Sequence, residues 1–359
     1  MMSNHLKFIN LAHDVASKNL GKTFPNPTVG CVISKNNIII SKAVTSATGR
    51  PHAEEIALKK AGKKAKGAIM YVTLEPCFHN SQNGSCADQI LRSGINKIYI
   101  SCIDEDPRTK KKSISKLKKN KIKVITGIEK DKTISVNNFY FKSLKKKKPF
   151  TKVKMAISND NKIAWSNYKS KWISNSKSRA YVHSLREKTQ AILTTSKTIL
   201  IDNPRFTVRK KNKIIKNLNV IIIDKNLNIP LNINLLKNLH ERRVIIFTSK
   251  KNNKSQKLKQ LGCEIIEMKI VNNKFDLKKI FSHIYQLKIS DLMVEAGGIL
   301  FADLIKNNLV DEILLFKAPY IIGEKGISVI EGNSLNNIKK KLLEIIKFDD
   351  NLYLKYAIK

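Results

Sequence analysis

Four residues in the first quarter of the chain have the types and spacing of a reaction centre: His52, Glu54, Cys77 and Cys86. Histidine and cysteine are ligands that zinc prefers. Three protein ligands rather than four leave one tetrahedral position for a water, the arrangement of catalytic zinc. Bound zinc lowers the pKa of that water, and a carboxylate that is not a ligand can carry its proton to a leaving amine. Glu54, two residues after His52, is placed for that shuttle. A lone His-x-Glu is more often a surface histidine, and scattered cysteines are more often buried thiols. The joint occurrence favours the metal.

The order His-x-Glu…Pro-Cys is a general signature of zinc-dependent nucleobase deaminases, here with eight residues rather than two between the cysteines. Several elements must position these groups. Phe8, Leu11, Ala12 and Val15 at helical spacing predict a helix over about 4–20, ended by Gly21 and the Pro25-Asn26-Pro27 turn. Val29 to Ile33 and Ile38 to Ala43 read as a hairpin across Asn36-Asn37. Pro51 precedes a helix to about Ala61 that carries His52 and Glu54 in its first turn, with Gly62 ending it. Ile69 to Thr73 reads as a strand delivering Cys77, and Cys86 opens a second helix ending at Gly94. Helix N-termini favour negative charge and so suit thiolate ligands. Strands at Ile98 to Ser101 and Ile122 to Thr126, with a lysine-rich helix over about 110–119 between them, complete an alternating α/β layer.

Lys145-Lys146-Lys147-Lys148-Pro149 cannot enter a core and reads as a connector or a solvated helix end. It predicts two domains, 1–146 and 147–359. Beyond it, Phe150 to Ile157 and apolar runs at Ala191, Val220, Val244, Cys263 and Leu292 alternate with helical stretches, giving a second α/β domain. Val294-Glu295-Ala296-Gly297-Gly298 then runs a strand into paired glycines and a helix from about Leu300. Such a junction lets backbone N–H groups approach a phosphate, although paired glycines alone are more often plain turn chemistry.

With 359 residues and 42% apolar content the chain suits two globular domains. No apolar run reaches membrane-spanning length, and 1–20 carries too many polar residues for a signal peptide. Five scattered cysteines do not make a disulfide framework, which points to a reducing, cytoplasmic setting. The net charge of +40 suggests nucleic acid or phosphorylated ligands. Lysine, however, is spread over nearly every segment with no basic stripe interleaved with aromatics, so solvated lysine is the better reading and nucleic acid the weakest.

Pro25-Asn26-Pro27-Thr28-Val29-Gly30-Cys31-Val32-Ile33, the His-Ala-Glu segment and Tyr71-Val72-Thr73-Leu74-Glu75-Pro76-Cys77 together resemble the bifunctional deaminase-reductases of riboflavin biosynthesis. The resemblance continues through Lys171-Trp172-Ile173-Ser174, Leu185-Arg186, the segment from Ala191 to Pro204, and Phe206-Thr207-Val208-Arg209. It implies a cytidine-deaminase-like zinc domain fused to a dihydrofolate-reductase-like domain. The implied activities are deamination of a diaminopyrimidinone ribosyl phosphate at a zinc-activated water, then NADPH reduction of ribosyl to ribityl. His52, Cys77 and Cys86 would hold zinc, Glu54 would transfer protons, and Asn26 would touch substrate. NADPH contacts would come from Ala156, Trp172, Thr198, Asp202, Gly297, Gly298, Ile299, Leu300, Phe301, Ala302 and Asp303. Ser170, Arg186, Phe206, Arg209 and Glu295 would face the reductase substrate. Arginines of this kind can pair bidentately with phosphate, Trp172 offers a flat face to a cofactor ring, and Glu295 can accept from sugar hydroxyls or the pyrimidine.

Three stretches depart from that family. Ser81-Gln82-Asn83-Gly84-Ser85 stands where it carries Gly-Arg-Thr-Pro-Pro, and 104–113 lacks its glycines. Ser158-Asn159-Asp160-Asn161 replaces an Asp-Gly turn, where asparagine tolerates a left-handed backbone. Three rival readings stay open: an active reductase with a weakened or repurposed deaminase half, a nucleic-acid base deaminase, and a non-catalytic binding protein. A small phosphoribosyl pyrimidine is the expected partner, a membrane is not expected, and self-association stays open.

Overall fold

The computed structural model describes residues 2–79, 84–166, 173–211, 213–330 and 338–358. Two units divide the chain, Met1–Lys147 and Lys148–Lys359. The first carries helix α1 (Met2–Ser17), strands β1 (Gly30–Lys35) and β2 (Ile38–Val44), α2 (Ala53–Ala61), β3 (Ile69–Leu74), α3 (Cys86–Ser93), β4 (Lys97–Cys102), α4 (Lys112–Lys119), β5 (Lys123–Thr126), α5 (Lys130–Val136) and α6 (Asn138–Lys146). The sheet order is β2-β1-β3-β4-β5. β1 runs antiparallel to both neighbours, whereas β3, β4 and β5 are parallel.

The helical spacing of α1 is realised as a buried stripe of Phe8, Ile9, Ala12, Val15 and Ala16, packed with Val32, Tyr71 and Tyr99 on one face of the sheet. Close seating needs Gly30, because a Cβ there would stand 1.9 Å from the Ala12 carbonyl oxygen. The opposite face packs Ala53, Ala57 and Ala61 of α2, Ile90 of α3 and Leu117 of α4 against β-branched strand residues. Small alanines let α2 lie close to the strands, as shown by the Ser41 hydroxyl donating to the Ala57 carbonyl at 2.8 Å.

α3 starts with a reciprocal capping box between Ser85 and Asp88 and ends at Gly94 with φ 73°. Lys145 and Lys146 fall in the last turn of α6 rather than in a free connector. Cationic side chains there complement the helix dipole, which accounts for the lysine run.

In the second unit a nine-stranded sheet runs in the order Glu264–Glu267, Val244–Thr248, Asn219–Ile223, Ala191–Thr195, Asp291–Val294, Phe150–Ile157, Glu312–Lys317, Asn351–Ile358, Lys340–Phe348. The first seven strands are parallel and the C-terminal pair adds antiparallel. Helices α7 (Ser176–Glu187), α8 (Ser196–Asp202), α9 (Asn253–Gln260), α10 (Leu277–Gln286) and α11 (Gly298–Lys306) lie between strands. Two core clusters form, one around Ile221, Phe247, Phe281, Leu292 and Leu304, the other around Ile192, Val220, Ile246, Leu314 and Tyr353. α11 begins at Gly298, two residues earlier than the sequence suggests. The turn at 158–161 does take the left-handed backbone, at Asn161 with φ 62°. No helix among the described residues is long and apolar enough to cross a membrane.

Candidate active sites

His52 is the N-cap of α2 rather than a residue of its first turn, and its side chain makes no capping bond. The imidazole is therefore left for other work. Cys77 lies three residues beyond the end of β3 and Cys86 is the first residue of α3. These elements bring together one ligand atom from each of His52, Cys77 and Cys86, all within 4.8 Å of one another. His52 Nδ1 is 3.3 Å from Cys86 Sγ, and the Cys86 N–H donates to Cys77 Sγ at 3.3 Å. One imidazole and two sulfurs at such spacing match a three-ligand zinc set with an open fourth position.

The electrostatics fit the same use. The Cys86 thiol donates to Cys77 and, with help from His52, draws the Cys77 pKa down to about 4 against burial. Cys86 is pushed up by its bond to Cys77 and by burial. Burial raises Glu54, which is 3% exposed, and nearby His52 partly offsets the shift. A buried carboxyl with a raised pKa beside a metal set is suited to accepting and returning a proton. Burial works to lower His52, but Cys77 and Glu54 raise it overall.

The Asn26 side chain donates to the Gly49 carbonyl at 2.9 Å and so braces the turn leading into His52. Of the altered loop at 81–85, residues 81–83 lie outside those described, and Ser85 caps α3. Sequence reasoning missed Glu75, a buried carboxylate two residues before Cys77. It accepts from Asp104 N at 3.2 Å, Lys111 N at 3.0 Å and Ser113 Oγ at 2.8 Å. One side chain thus ties the loop after β4 to the cysteine strand. Its place in the Glu-Pro-Cys motif is the one signal that could have exposed it.

A cavity of about 920 Å³ opens in the second unit, at the carboxyl ends of Ala191–Thr195 and Asp291–Val294. Crevices at such strand ends are where open parallel sheets bind ligands. Ala156, Thr198, Asp202, Arg186, Phe206, Arg209 and Glu295 line it, together with Gly297, Gly298, Ile299, Leu300 and Asp303. Phe301 and Ala302 do not. They sit on the far face of α11, 6% and 0% exposed, where they seat the helix. Ser170 and Trp172 lie outside the described residues.

Arg186 is not free to grip a phosphate with its fork. Its Nε and Nη2 donate to the two Glu295 oxygens at 2.7 and 2.8 Å. Both side chains are largely buried, 16% and 11% exposed. Burial alone would raise the carboxyl, but Arg186 overrides it and holds Glu295 at about 2. Phe206, beneath the guanidinium, adopts φ 44° although it is not glycine. Strain of that kind gathers where a side chain is held for function. Lys154, missed by the sequence reading because it looks like one more lysine in a lysine-rich chain, also lines the cavity, and burial lowers its pKa.

At Gly297 nothing stands within 4 Å of where a Cβ would be, so the backbone there is open to the cavity. At Gly298 a Cβ would meet the Val329 carbonyl oxygen at 2.7 Å. The first glycine leaves room for a phosphate at the α11 N-terminus, and the second permits close chain packing.

The sequence comparisons agree with both halves. Residues 2–102 match the cytidine and deoxycytidylate deaminase zinc-binding region, and 149–354 match the RibD C-terminal domain. The riboflavin biosynthesis protein RibD of Aquifex aeolicus is 37% identical over 90% of this chain and 88% of its own. That of Escherichia coli is 30% identical over 86% and 87%. Among solved structures, Acinetobacter baumannii RibD covers all of both chains with 29% identity and a TM-score of 0.91. A Thermotoga maritima diaminohydroxyphosphoribosylaminopyrimidine deaminase/5-amino-6-(5-phosphoribosylamino)uracil reductase covers 99% of each with 28% identity and a TM-score of 0.86. With a zinc-deaminase unit and a dihydrofolate-reductase-like unit in one chain, this protein belongs to the RibD family of bifunctional deaminase-reductases of riboflavin biosynthesis.

Proposed function

We propose that the first unit deaminates the diaminopyrimidinone ribosyl phosphate and that the second reduces the product's ribosyl group to ribityl with NADPH. The observation that carries the first step is the convergence of His52, Cys77 and Cys86 beside the buried Glu54. Zinc held by those three would supply an activated water as nucleophile. Glu54 would take a proton from the attacking water and return it to the departing ammonia, a role its raised pKa suits. Burial of the centre keeps the shuttle out of bulk water.

For the second step, bound NADPH would supply a hydride for C1′ of the ring-opened ribose. The α11 N-terminus at Gly297 offers N–H groups to the cofactor phosphates, and Thr198, Asp202 and Ala156 line its path. Arg186 and Glu295 form a fixed polar wall for the substrate, and exposed Arg209 is the arginine left to meet its phosphate. Lys154, whose pKa burial lowers, lines the same cavity and can give a proton to the imine nitrogen that takes the electron pair when hydride adds at C1′.

The test is an assay on zinc-loaded protein that follows ammonia release and NADPH oxidation separately. The Glu54→Ala variant is expected to lose ammonia release by about 10² to 10⁴-fold while oxidising NADPH normally when given the deaminated intermediate. Ammonia release unaffected in that variant refutes the assigned shuttle. NADPH oxidation without any ammonia from the intact protein identifies a chain whose deaminase half serves another purpose.

A further inference from the structure

Arg242 is 8% exposed, the lowest of any described lysine or arginine in a chain with 68 of them. It directly follows the 3-10 segment Asn234–Glu241. Its Nη1 donates to the Arg205 carbonyl at 2.7 Å and to the Phe206 carbonyl at 3.5 Å, and its Nη2 donates to the Asn217 side chain. Nε is buried with no hydrogen-bond partner. A buried donor left unpaired costs stability, so packing alone does not account for the seat of this guanidinium.

What Arg242 holds is a bend in the cavity wall. Asn203 at φ 39° and Phe206 at φ 44° are both left-handed, with Pro204 and Arg205 between them. Asparagine tolerates such a backbone, whereas phenylalanine keeps it only where the surroundings over-determine it. Leu218 N–H adds a second bond to the Phe206 carbonyl at 3.3 Å. At the other end of the bend, the Asn234 N–H donates to the Asn203 side chain at 2.9 Å, and the Asn234 amide donates to the Asn203 carbonyl at 3.2 Å. The 3-10 segment thus grips the bend twice, through its first residue and through the residue after its last. Asn217 closes the frame, since it pairs with Thr207 across the hairpin of Thr207–Lys210 and Lys213–Asn217.

The consequence reaches Arg186. Pro204, Phe206 and Arg209 line the cavity, and the Phe206 ring centre lies 5.8 Å from the Arg186 guanidinium carbon. Arg186 Nη1 donates to the Thr207 carbonyl at 3.4 Å while its Nε and Nη2 hold Glu295. Both the ring and the carbonyl on which Arg186 rests are therefore placed by the backbone at 206–207.

We infer that Arg242 is a positioning residue for the reductase site. By fixing the Arg205 and Phe206 carbonyls it sets where Phe206, Arg186 and Arg209 stand, and with them the wall that meets the pyrimidine substrate. Its bonds go to 205, 206 and 217, whereas the cofactor phosphates are assigned to the α11 N-terminus, so its effect falls on one ligand and spares the other. The inference rests on the reading that Arg186, Phe206, Arg209 and Glu295 face the reductase substrate.

The experiment follows NADPH oxidation by the full chain on the deaminated intermediate in wild type, Arg242→Ala, Arg242→Lys and Arg243→Ala. Arg243 is the neighbouring cation, paired with Glu264 at 2.7 Å, and controls for lost charge at the same place in the chain. Arg242→Ala is expected to raise the KM for the intermediate about tenfold while kcat and the Kd for NADPH stay within about twofold of wild type. Arg242→Lys recovers part of that loss, to a rise of about threefold, because an ammonium can meet one carbonyl but not the whole frame. Arg243→Ala is expected to match wild type, and hydrogen exchange is expected to quicken over 203–209 and at Leu218 in the Arg242 variants alone. A variant that is merely loosened loses intermediate and NADPH in step, and that result overturns the inference. Should the alanine variant fail to fold, the lysine variant decides, and an intermediate KM unmoved in it overturns the inference as well. If wild type oxidises no NADPH with the intermediate, the reading of the second unit fails and the inference with it, whereas wild-type turnover with an unmoved KM in the Arg242 variants sinks the inference alone.

Discussion

At the scale of single residues the Arg186–Glu295 pair is the clearest case of one group deciding another's state. Removing Arg186 strands a carboxylate that burial already disfavours. Arg186→Met is expected to destabilise the protein by about 3–5 kcal/mol in urea unfolding. The pH dependence has a definite sign. Glu295 is held at about 2, below the ordinary value of 4.5. Its contribution is therefore present in full above pH 4.5 and is lost as pH falls towards 2. Comparing wild type with Glu295→Gln across that range measures it, and a gap that widens in acid contradicts the assignment.

At the scale of elements the two close approaches at glycine are the sensitive points. Gly30→Ala drives a methyl into the Ala12 carbonyl, which lies 1.9 Å from the Cβ position, so α1 must lift off the sheet. A loss of about 3 kcal/mol is expected, read as a lower denaturation midpoint with little change in hydride transfer. Gly298→Ala meets the Val329 carbonyl at 2.7 Å and shifts the start of α11 instead. NADPH affinity, followed by fluorescence titration, is expected to fall about tenfold while global stability drops by only about 1–3 kcal/mol. Unchanged affinity in Gly298→Ala places the cofactor phosphates away from this helix.

At the scale of the whole molecule, each unit has its own buried core, and the metal cluster and the large cavity belong to different units. Stripping zinc with a chelator is therefore expected to abolish ammonia release while NADPH oxidation on the deaminated intermediate keeps its rate. Parallel loss of both activities shows that the units depend on each other. The charge of +40 does not gather into one site.

The sequence by itself singled out the candidate ligand set whose three ligand atoms the structure brings within 4.8 Å of one another. Zinc chemistry demands particular residue types, and His52, Cys77 and Cys86 stand where strand ends and helix starts would deliver them. Apolar runs likewise disclosed the five strands of the first unit's sheet and six of the nine in the second unit's large sheet, because buried strands tend to be continuous apolar runs. Glu312–Lys317, Asn351–Ile358 and Lys340–Phe348 escaped that reading, the first although it is a buried parallel strand. Lys340–Phe348 is the hardest of the three to read. It is an edge strand, mostly exposed, whose Lys-Lys-Leu-Leu-Glu-Ile-Ile order shows no alternation. Only the tertiary structure decided which polar groups face one another. Glu75 finds the loop at 104–113, Arg186 is spent on Glu295, and Phe301 and Ala302 turn to the core while Gly297 opens to the cavity. Such pairings join residues up to 109 positions apart, and nothing local in the chain encodes them.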